Sequence, residues 1–251
     1  MSALSSAFER GPLLVGYLPA GFASADDFRA MTDNGVDVVE VGLPYSDPLM
    51  DGPVIQKAVQ RALEAGTSTR DVLAAVEAVA AHAPVVVMTY WNPVDRYGVD
   101  AFARDLAAAG GAGAITPDLI PEEAGDWLAA ASSHGLDPVF LVAPSSTDAR
   151  LRVVGESSRG FVYAASTMGV TGTRDTVSSS APSLVARMKA VTDLPVAVGL
   201  GVSTGAQAAE VAAYADGVIV GSAFVRAAMD GGPTAVAALA KDLAAGVRGE
   251  R

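Results

Sequence analysis

The sequence predicts an α/β protein built as a single (β/α)8 TIM barrel with extra helices, and three observations support this. Short apolar runs alternate with Ala-rich amphipathic stretches along all 251 residues. The runs are almost continuously apolar, as expected of parallel strands that are buried on both faces. No Pro-, Gly- or Ser-rich linker divides the chain, which disfavours an open, doubly wound sheet of two domains. We therefore expect residues 1–251 to form one domain.

The hydrophobic pattern defines eight strands and the helices between them. The predicted strands are residues 13–17, 37–41, 84–88, 113–115, 138–142, 160–163, 195–199 and 217–220. The clearest predicted helices are residues 25–34, 100–109, 122–133, 181–191 and 206–214. Eight such strand–helix units closed on themselves form the barrel, with the helices on the outside.

Two connections are longer than the others and indicate where a site is expected. The one after the second strand holds the loop 42–53 and two helices, the second beginning at Ser68 with Asp71 as its capping-box partner. The one after the sixth strand holds residues 168–180, which are rich in Gly, Thr and Ser. Both follow the carboxyl end of a strand, where such barrels place their chemistry.

The composition excludes several classes of function. The chain has no cysteine, which excludes disulfides, thiolate nucleophiles and cysteine-bound metal clusters and fits a reducing cytosol. Its 17 basic and 28 acidic residues give a net charge of −11, which disfavours nucleic acid and anionic lipid as partners. No targeting segment or membrane-spanning stretch is visible. We expect a cytoplasmic protein that binds neither nucleic acid nor membrane.

The basic side chains are poorly placed for catalysis. Lys57, Lys189 and Lys241 all fall on helical stretches, which disfavours Schiff-base chemistry and covalently bound pyridoxal phosphate. His82 and His134 lie where a helix runs into the next strand, at the end of a barrel that contributes stability. No metal site is expected. Acid–base chemistry is therefore left to carboxylates.

Glu40 and Asp51 are the carboxylates of interest. Glu40 ends an apolar strand on the same face as Val38, and a carboxylate there is costly unless it is protonated, paired or used. Its position before a long loop favours a functional role over a solvated one. Asp51 precedes Gly52, Pro53 and a predicted helix, so the local pattern alone favours a helix cap over a catalyst.

Glycine clusters near the end of the chain predict an anion site. Residues 199–203 follow the seventh strand, and Gly221 and Ser222 follow the eighth and open a helix. Loops at these two strand ends, beside a helix N-terminus, form the usual phosphate site of this fold. Residues 169–172, on the long loop after the sixth strand, are expected to close over the same place as a lid.

At these residues the sequence resembles the tryptophan synthase alpha subunit family. The motifs that carry the resemblance are GYLPAG at 16–21, VEVGLPYSDP at 39–48, DGPVIQ at 51–56, MTYWNP at 88–93, PDL at 117–119, GVTG at 169–172 and the glycine clusters at 199–203 and 221–222. They occur in the expected order, and the segment 40–53 is highly specific, whereas the glycine pairs occur in many phosphate-binding barrels.

The resemblance implies a reaction and a partner. The family cleaves indole-3-glycerol phosphate to indole and glyceraldehyde 3-phosphate, near the end of tryptophan biosynthesis, with no cofactor in this subunit. It works with a beta subunit that carries pyridoxal phosphate, in an alpha–beta–beta–alpha heterotetramer to which indole is passed. The loop 42–53 fits such a partner, because its apolar residues are expected to be exposed: Leu43, Pro44, Tyr45, Leu49 and Met50.

The resemblance also implies roles for individual residues. Glu40 would move a proton between the substrate hydroxyl and indole C3, and Asp51 would accept the indole N–H. Tyr163, at the end of the sixth strand, would support Glu40. The residues that would hold the phosphate are Gly172, Gly201, Gly221 and Ser222.

Three alternatives remain open at this point. Another phosphate-binding barrel, such as a sugar-phosphate epimerase, would ordinarily need a metal-binding His/Asp set, and both histidines are misplaced for one. A non-catalytic sensor of a phosphorylated ligand could share the fold, although the presence of Glu40 and Asp51 argues against it. A free-standing lyase that releases indole without a partner is the third.

Overall fold

A computed structural model of the chain describes residues 2–165, 180–199 and 201–250. The strands in this part are β1 (Leu13–Pro19), β2 (Val38–Gly42), β3 (Val85–Met88), β4 (Gly113–Ile115), β5 (Asp137–Val139), β6 (Leu141–Val142), β7 (Val162–Ala165), β8 (Val196–Gly199) and β9 (Gly217–Val220). They form one parallel sheet in the order β5-β4-β3-β2-β1-β9-β8-β7-β6. The strands alternate with helices around a nearly closed barrel, which confirms the predicted TIM barrel.

The strands β5 and β6 are the two halves of the fifth predicted strand. They flank Phe140, and β5 pairs with β4 whereas β6 pairs with β7. The break lies at Phe140, whose backbone N–H donates to the Ser158 hydroxyl, 3.4 Å away, and not to a neighbouring strand. The sixth, seventh and eighth predicted strands are therefore β7, β8 and β9.

The helices lie between the strands as predicted. Those in the described residues are α1 (Ala3–Phe8), α2 (Ala25–Thr32), α3 (Pro53–Glu64), α4 (Thr69–Ala80), α5 (Trp91–Tyr97), α6 (Val99–Ala108), α7 (Gly125–His134), α8 (Asp148–Ser157), α9 (Ala181–Lys189), α10 (Gly205–Ala212) and α11 (Ser222–Arg248), with a 3₁₀ turn at Pro121–Glu123. The predicted helix pair after the second strand is α3 and α4, and Ser68 and Asp71 form the predicted capping box. Helix α11 is kinked at Gly232, just before Pro233.

The barrel interior is filled by apolar side chains toward the amino ends of the strands. Its buried side chains are Leu13, Val15, Val38, Val86, Ile115, Val139, Phe161, Ala197 and Ile219, and α1 contributes Leu4 and Phe8 to the same cluster. A larger apolar core lies between the barrel and its helices. Because the interior is filled with apolar side chains at the amino end, space for a substrate is expected at the carboxyl end of the strands.

The basic residues lie where the sequence predicts. The three lysines are on α3, α9 and α11, and Lys189 pairs with Asp216 at 2.8 Å. His134 ends α7 and lies 3.0 Å from Asp100. Within the ranges that the structure describes, no helix is long and apolar enough to cross a membrane. No three His, Asp or Glu side chains of those ranges are grouped as metal ligands.

Candidate active site

Glu40 lies on β2 and is buried at the carboxyl end of the barrel. It shares a strand face with Val38, and its register partner on β1 is Tyr17. The residue is 2% exposed, and its Oε2 has no hydrogen-bond partner in the part of the chain that the structure describes. Burial and, secondly, the negative charge of Asp51 raise the pKa of the Glu40 carboxyl to about 8. The side chain is therefore largely protonated at neutral pH.

Asp51 is held by a tyrosine and does not cap the following helix. Gly52 occupies the cap position of α3, so the helix-cap interpretation favoured by the local pattern is wrong. One carboxylate oxygen of Asp51 accepts a hydrogen bond from the Tyr90 hydroxyl at 3.2 Å. The Gln56 side-chain amide donates to the Asp51 backbone carbonyl at 2.8 Å. Partial burial raises the pKa of the Asp51 carboxyl, and the bond from Tyr90 opposes this rise.

Tyr90 is a site residue that the sequence analysis did not identify. It follows β3 and occupies the cap position of α5. Its hydroxyl donates to Asp51 and accepts the backbone N–H groups of Leu49 at 3.1 Å and Met50 at 3.0 Å. Burial and the charge of Asp51 raise the pKa of Tyr90 to about 12, so the hydroxyl keeps its proton. The sequence signals were its position just after a strand end and its place in the motif at 88–93.

Two further tyrosines face the carboxylates. Tyr163 lies on β7, and burial followed by the charges of Glu40 and Asp51 raises its pKa. Tyr17 lies on β1, and burial followed by the charges of Asp51 and Glu40 raises its pKa as well. Tyr163 was a predicted site residue and Tyr17 was not. Both hydroxyls stay protonated and are available as hydrogen-bond donors.

Three of the predicted phosphate residues, Gly201, Gly221 and Ser222, lie in the described residues after β8 and β9. Gly221 precedes α11, whose first turn has backbone N–H groups without a partner inside the helix, and Ser222 begins that helix. Gly201 lies between β8 and α10 with a φ of +69°, a conformation that favours glycine. A Cβ atom at Gly221 would lie 3.4 Å from the Tyr17 ring, so the helix start adjoins Tyr17. Gly172 and the lid motif 169–172 lie outside the described residues.

The loop between β2 and α3 exposes less apolar surface than the sequence predicts. Leu43 and Pro44 are buried against the barrel, and Tyr45 and Met50 are partly buried. Leu49 is the large apolar side chain of this loop that is exposed, with 70% of its surface accessible. Ile120, which follows β4, is 44% exposed. Both lie at the carboxyl end of the barrel. Residues 92–93, in the motif at 88–93, lie in the first part of α5.

Comparison with known proteins assigns the family. A family model described as the tryptophan synthase alpha chain matches residues 5–246. The chain belongs to this family. The tryptophan synthase alpha chain of Mycobacterium intracellulare is 64% identical over 240 residues, which cover 94% of this chain and 89% of the relative. That of Nocardia farcinica is 62% identical over 245 residues, covering 96% of this chain and 92% of the relative.

Solved structures of the tryptophan synthase family have the same fold. Mycobacterium tuberculosis tryptophan synthase matches with a TM-score of 0.94 and 59% identity, and the match covers 98% of both chains. The alpha subunit from Legionella pneumophila matches with a TM-score of 0.87 and 32% identity over 99% of both chains. The resemblance and the fold predicted from the sequence are confirmed, and the chain is a carbon–carbon lyase of tryptophan biosynthesis. An epimerase is not favoured.

Proposed function

We propose that Glu40 and Asp51 are the catalytic residues for the cleavage of indole-3-glycerol phosphate to indole and glyceraldehyde 3-phosphate. The observation that supports this is a pair of carboxyls at the carboxyl end of the barrel, both with raised pKa. Buried acids with a shifted pKa are typical of acid–base catalysis. Incubating the pure protein with indole-3-glycerol phosphate and measuring indole tests the activity.

The raised pKa of Glu40 gives it a role in both proton transfers. Because its pKa is about 8, Glu40 carries a proton at neutral pH and donates it to C3 of the indole ring. The resulting carboxylate then takes the proton of the side-chain hydroxyl, and the carbon–carbon bond breaks. The electrons of that bond return to the ring, the hydroxyl carbon becomes the aldehyde, and Glu40 is again protonated. Tyr163, whose pKa is raised by burial and by the charge of Glu40, supports Glu40 during the transfer.

Asp51 acts on the other side of the indole. Protonation at C3 places positive charge on the ring nitrogen, and a carboxylate that accepts its N–H stabilises this charge. The bond from Tyr90 fixes one Asp51 oxygen and leaves the second for the substrate. Two carboxyls with different environments thus divide the work between proton transfer and charge stabilisation.

The phosphate binds to backbone amides at Gly172, Gly201, Gly221 and Ser222. Gly221→Val should raise the KM for indole-3-glycerol phosphate by roughly tenfold or more, with a smaller effect on kcat. The added side chain would crowd the bound phosphate away from the backbone N–H groups, and a hydrogen bond to a charged group contributes about 1.5–3 kcal/mol. The φ of Gly221 is −114° and its nearest neighbours lie 3.4 Å from an added Cβ, so the variant should fold. Gly201 is the poorer choice, because its positive φ strains any other residue.

Gly125→Val is the matched control for this prediction. Gly125 also opens a helix, α7, and a Cβ there has no neighbour within 4 Å. The KM of this variant should equal that of the parent. An unchanged KM in Gly221→Val would place the phosphate elsewhere.

The partner is a tryptophan synthase beta subunit that carries pyridoxal phosphate, in an alpha–beta–beta–alpha complex, and this chain needs no cofactor of its own. Leu49 and Ile120 are the large apolar side chains left exposed among the described residues, and both lie at the end of the barrel that holds the site. Such side chains are typical of an interface. We further propose that residues 1–251 form one domain and that the protein is cytoplasmic.

Adding the beta subunit should raise the rate of indole formation and produce a larger species on size-exclusion chromatography. Leu49→Asp should weaken the complex by roughly tenfold or more, because a charge would replace an apolar interface contact. Titration of the labelled alpha chain with beta subunit measures the affinity. Equal activity with and without beta subunit, and no complex, would instead favour the free-standing lyase.

A further inference from the structure

One atom, the Tyr90 hydroxyl oxygen, holds three consecutive residues of the loop after β2. It accepts the N–H groups of Leu49 and Met50 and donates its proton to Asp51. A tyrosine hydroxyl has one proton and accepts at most two hydrogen bonds, so its capacity is fully used. One side chain therefore connects all three residues of this loop segment.

The same three residues join the protein surface to the site. Leu49 is 70% exposed, whereas Asp51, two residues later, faces the buried carboxyl of Glu40. The bond from Gln56 holds only the backbone carbonyl of Asp51 and not its carboxylate. Within the described residues, the contact that orients the Asp51 carboxylate is the Tyr90 hydroxyl.

Tyr90 itself is fixed to the barrel. Its side chain is 5% exposed, and its ring lies 5.4 Å from that of Tyr45. The Thr89 hydroxyl donates to the Tyr90 carbonyl at 2.8 Å. The next residue, Trp91, donates its backbone N–H to the Asp118 carboxylate at 2.9 Å. The loop is therefore attached to a buried residue that follows β3, and a displacement of Leu49 changes the bonds at the hydroxyl that also orients Asp51.

We propose that Tyr90 is a positioning residue whose hydroxyl couples docking of the beta subunit at Leu49 to the orientation of the Asp51 carboxylate. The proposal rests on the roles given above to Asp51 and to the partner. It adds a physical connection between them, because an exposed apolar contact and a catalytic group share one hydrogen-bonding atom.

The charge of Asp51 depends on the same bond. The titratable groups that face Asp51 are Glu40 on β2, Tyr17 on β1, Tyr163 on β7 and Tyr90. Burial raises the pKa of Asp51, and the bond from Tyr90 lowers it. Removing the hydroxyl therefore raises the pKa of Asp51. Because Asp51 acts as the anion, the acid limb of the activity profile must then move to higher pH.

Tyr90→Phe tests the proposal, with Tyr97→Phe as the matched control. Tyr90 caps α5, and Tyr97 is the last residue of that helix. The Tyr97 hydroxyl donates to the Asp105 carboxylate at 2.8 Å, so the control variant also loses one tyrosine–aspartate hydrogen bond. For Tyr90→Phe we expect kcat to fall roughly tenfold, because one hydrogen bond to a charged group is lost, with little change in KM. The acid limb of kcat against pH should shift upward, and the ratio of activity with and without beta subunit should fall.

A double-mutant cycle with Leu49→Ala isolates the coupling. Leu49→Ala alone should reduce stimulation by the beta subunit, measured at saturating partner. In the Tyr90→Phe background it should have no further effect, because the connection is already broken. Additive effects, or an unchanged stimulation ratio and acid limb in Tyr90→Phe, would overturn the proposal. If the parent protein itself forms no indole, that result contradicts the proposed function and is distinct from a failure of the coupling through Tyr90.

Thermal unfolding shows whether the variants fold. Should Tyr90→Phe be unfolded, hydrogen exchange on the parent decides the question. The amides of Leu49 and Met50 are expected to be protected in the free chain, and beta subunit should alter their exchange together. Unprotected amides, or exchange that is insensitive to the partner, would contradict the coupling.

Discussion

Replacing Glu40 by Gln should lower the rate of indole formation by roughly two orders of magnitude or more, the usual contribution of general acid–base catalysis. The amide keeps the size of the side chain but cannot give and take a proton. The measurement is steady-state turnover of indole-3-glycerol phosphate. Glu77→Gln, the same change on an exposed position of α4, is the matched control and should equal the parent.

The stability of Glu40→Gln separates a catalytic defect from an unfolded protein. Folding raises the pKa of Glu40 from its ordinary 4.5 to about 8, so the folded state favours the protonated form. The parent therefore loses stability as pH rises from about 4.5 through about 8, and Gln does not. We expect the Tm of the variant to exceed that of the parent at pH 9. Near-parent indole formation by the folded variant would remove Glu40 from the mechanism.

The pH profile of the parent gives an independent check on Glu40. If the protonated carboxyl starts the reaction, kcat/KM should fall above about pH 8, where Glu40 loses its proton in the free protein. The rate at several pH values, under conditions where substrate is well below KM, measures this limb. A profile that stays flat beyond pH 9 would contradict a proton donor with this pKa.

The barrel could be predicted from the sequence because its strands are short, apolar and regularly spaced. The hydrophobic pattern locates each strand that the structure describes, since buried parallel strands differ clearly from the amphipathic helices beside them. The pattern could not reveal the break at Phe140, because the Ser158 hydroxyl that bonds its amide comes from 18 residues away. The burial of Leu43 and Pro44 was missed for a similar reason: a loop's hydrophobicity does not show which side chains fold back onto the barrel.

The site was predictable where a residue's own strand defines its environment. Glu40 is such a case, since the period of β2 places it beside Val38 in the barrel interior. Asp51 is not, because its sequence neighbours equally permit a helix cap, and the contact that decides comes from Tyr90, 39 residues later. Tyr17 and Tyr90 were missed because an aromatic residue in or after an apolar strand is indistinguishable from a core residue until the strands are paired.

Asp51→Asn should reduce turnover by roughly two orders of magnitude, comparable to removing one preorganised group that stabilises transition-state charge. The amide oxygen can still accept a hydrogen bond from the Tyr90 hydroxyl or from the indole N–H, so KM should change much less than kcat. What is lost is the negative charge that faces the developing cation. Turnover and KM for indole-3-glycerol phosphate, measured on the variant and the parent, separate the two effects.

Asp47→Asn is the matched control, because it makes the same change on an exposed side chain of the same loop, where the partner is the Ser46 hydroxyl. It should have parent activity. Since burial raises the pKa of Asp51, its neutral replacement should not destabilise the fold, and the Tm of Asp51→Asn should match or exceed that of the parent. The acid limb of the parent's pH profile should also disappear in this variant. A folded Asp51→Asn protein with near-parent kcat would show that no charge is needed at this position, and the indole nitrogen would then have to be stabilised by a different group.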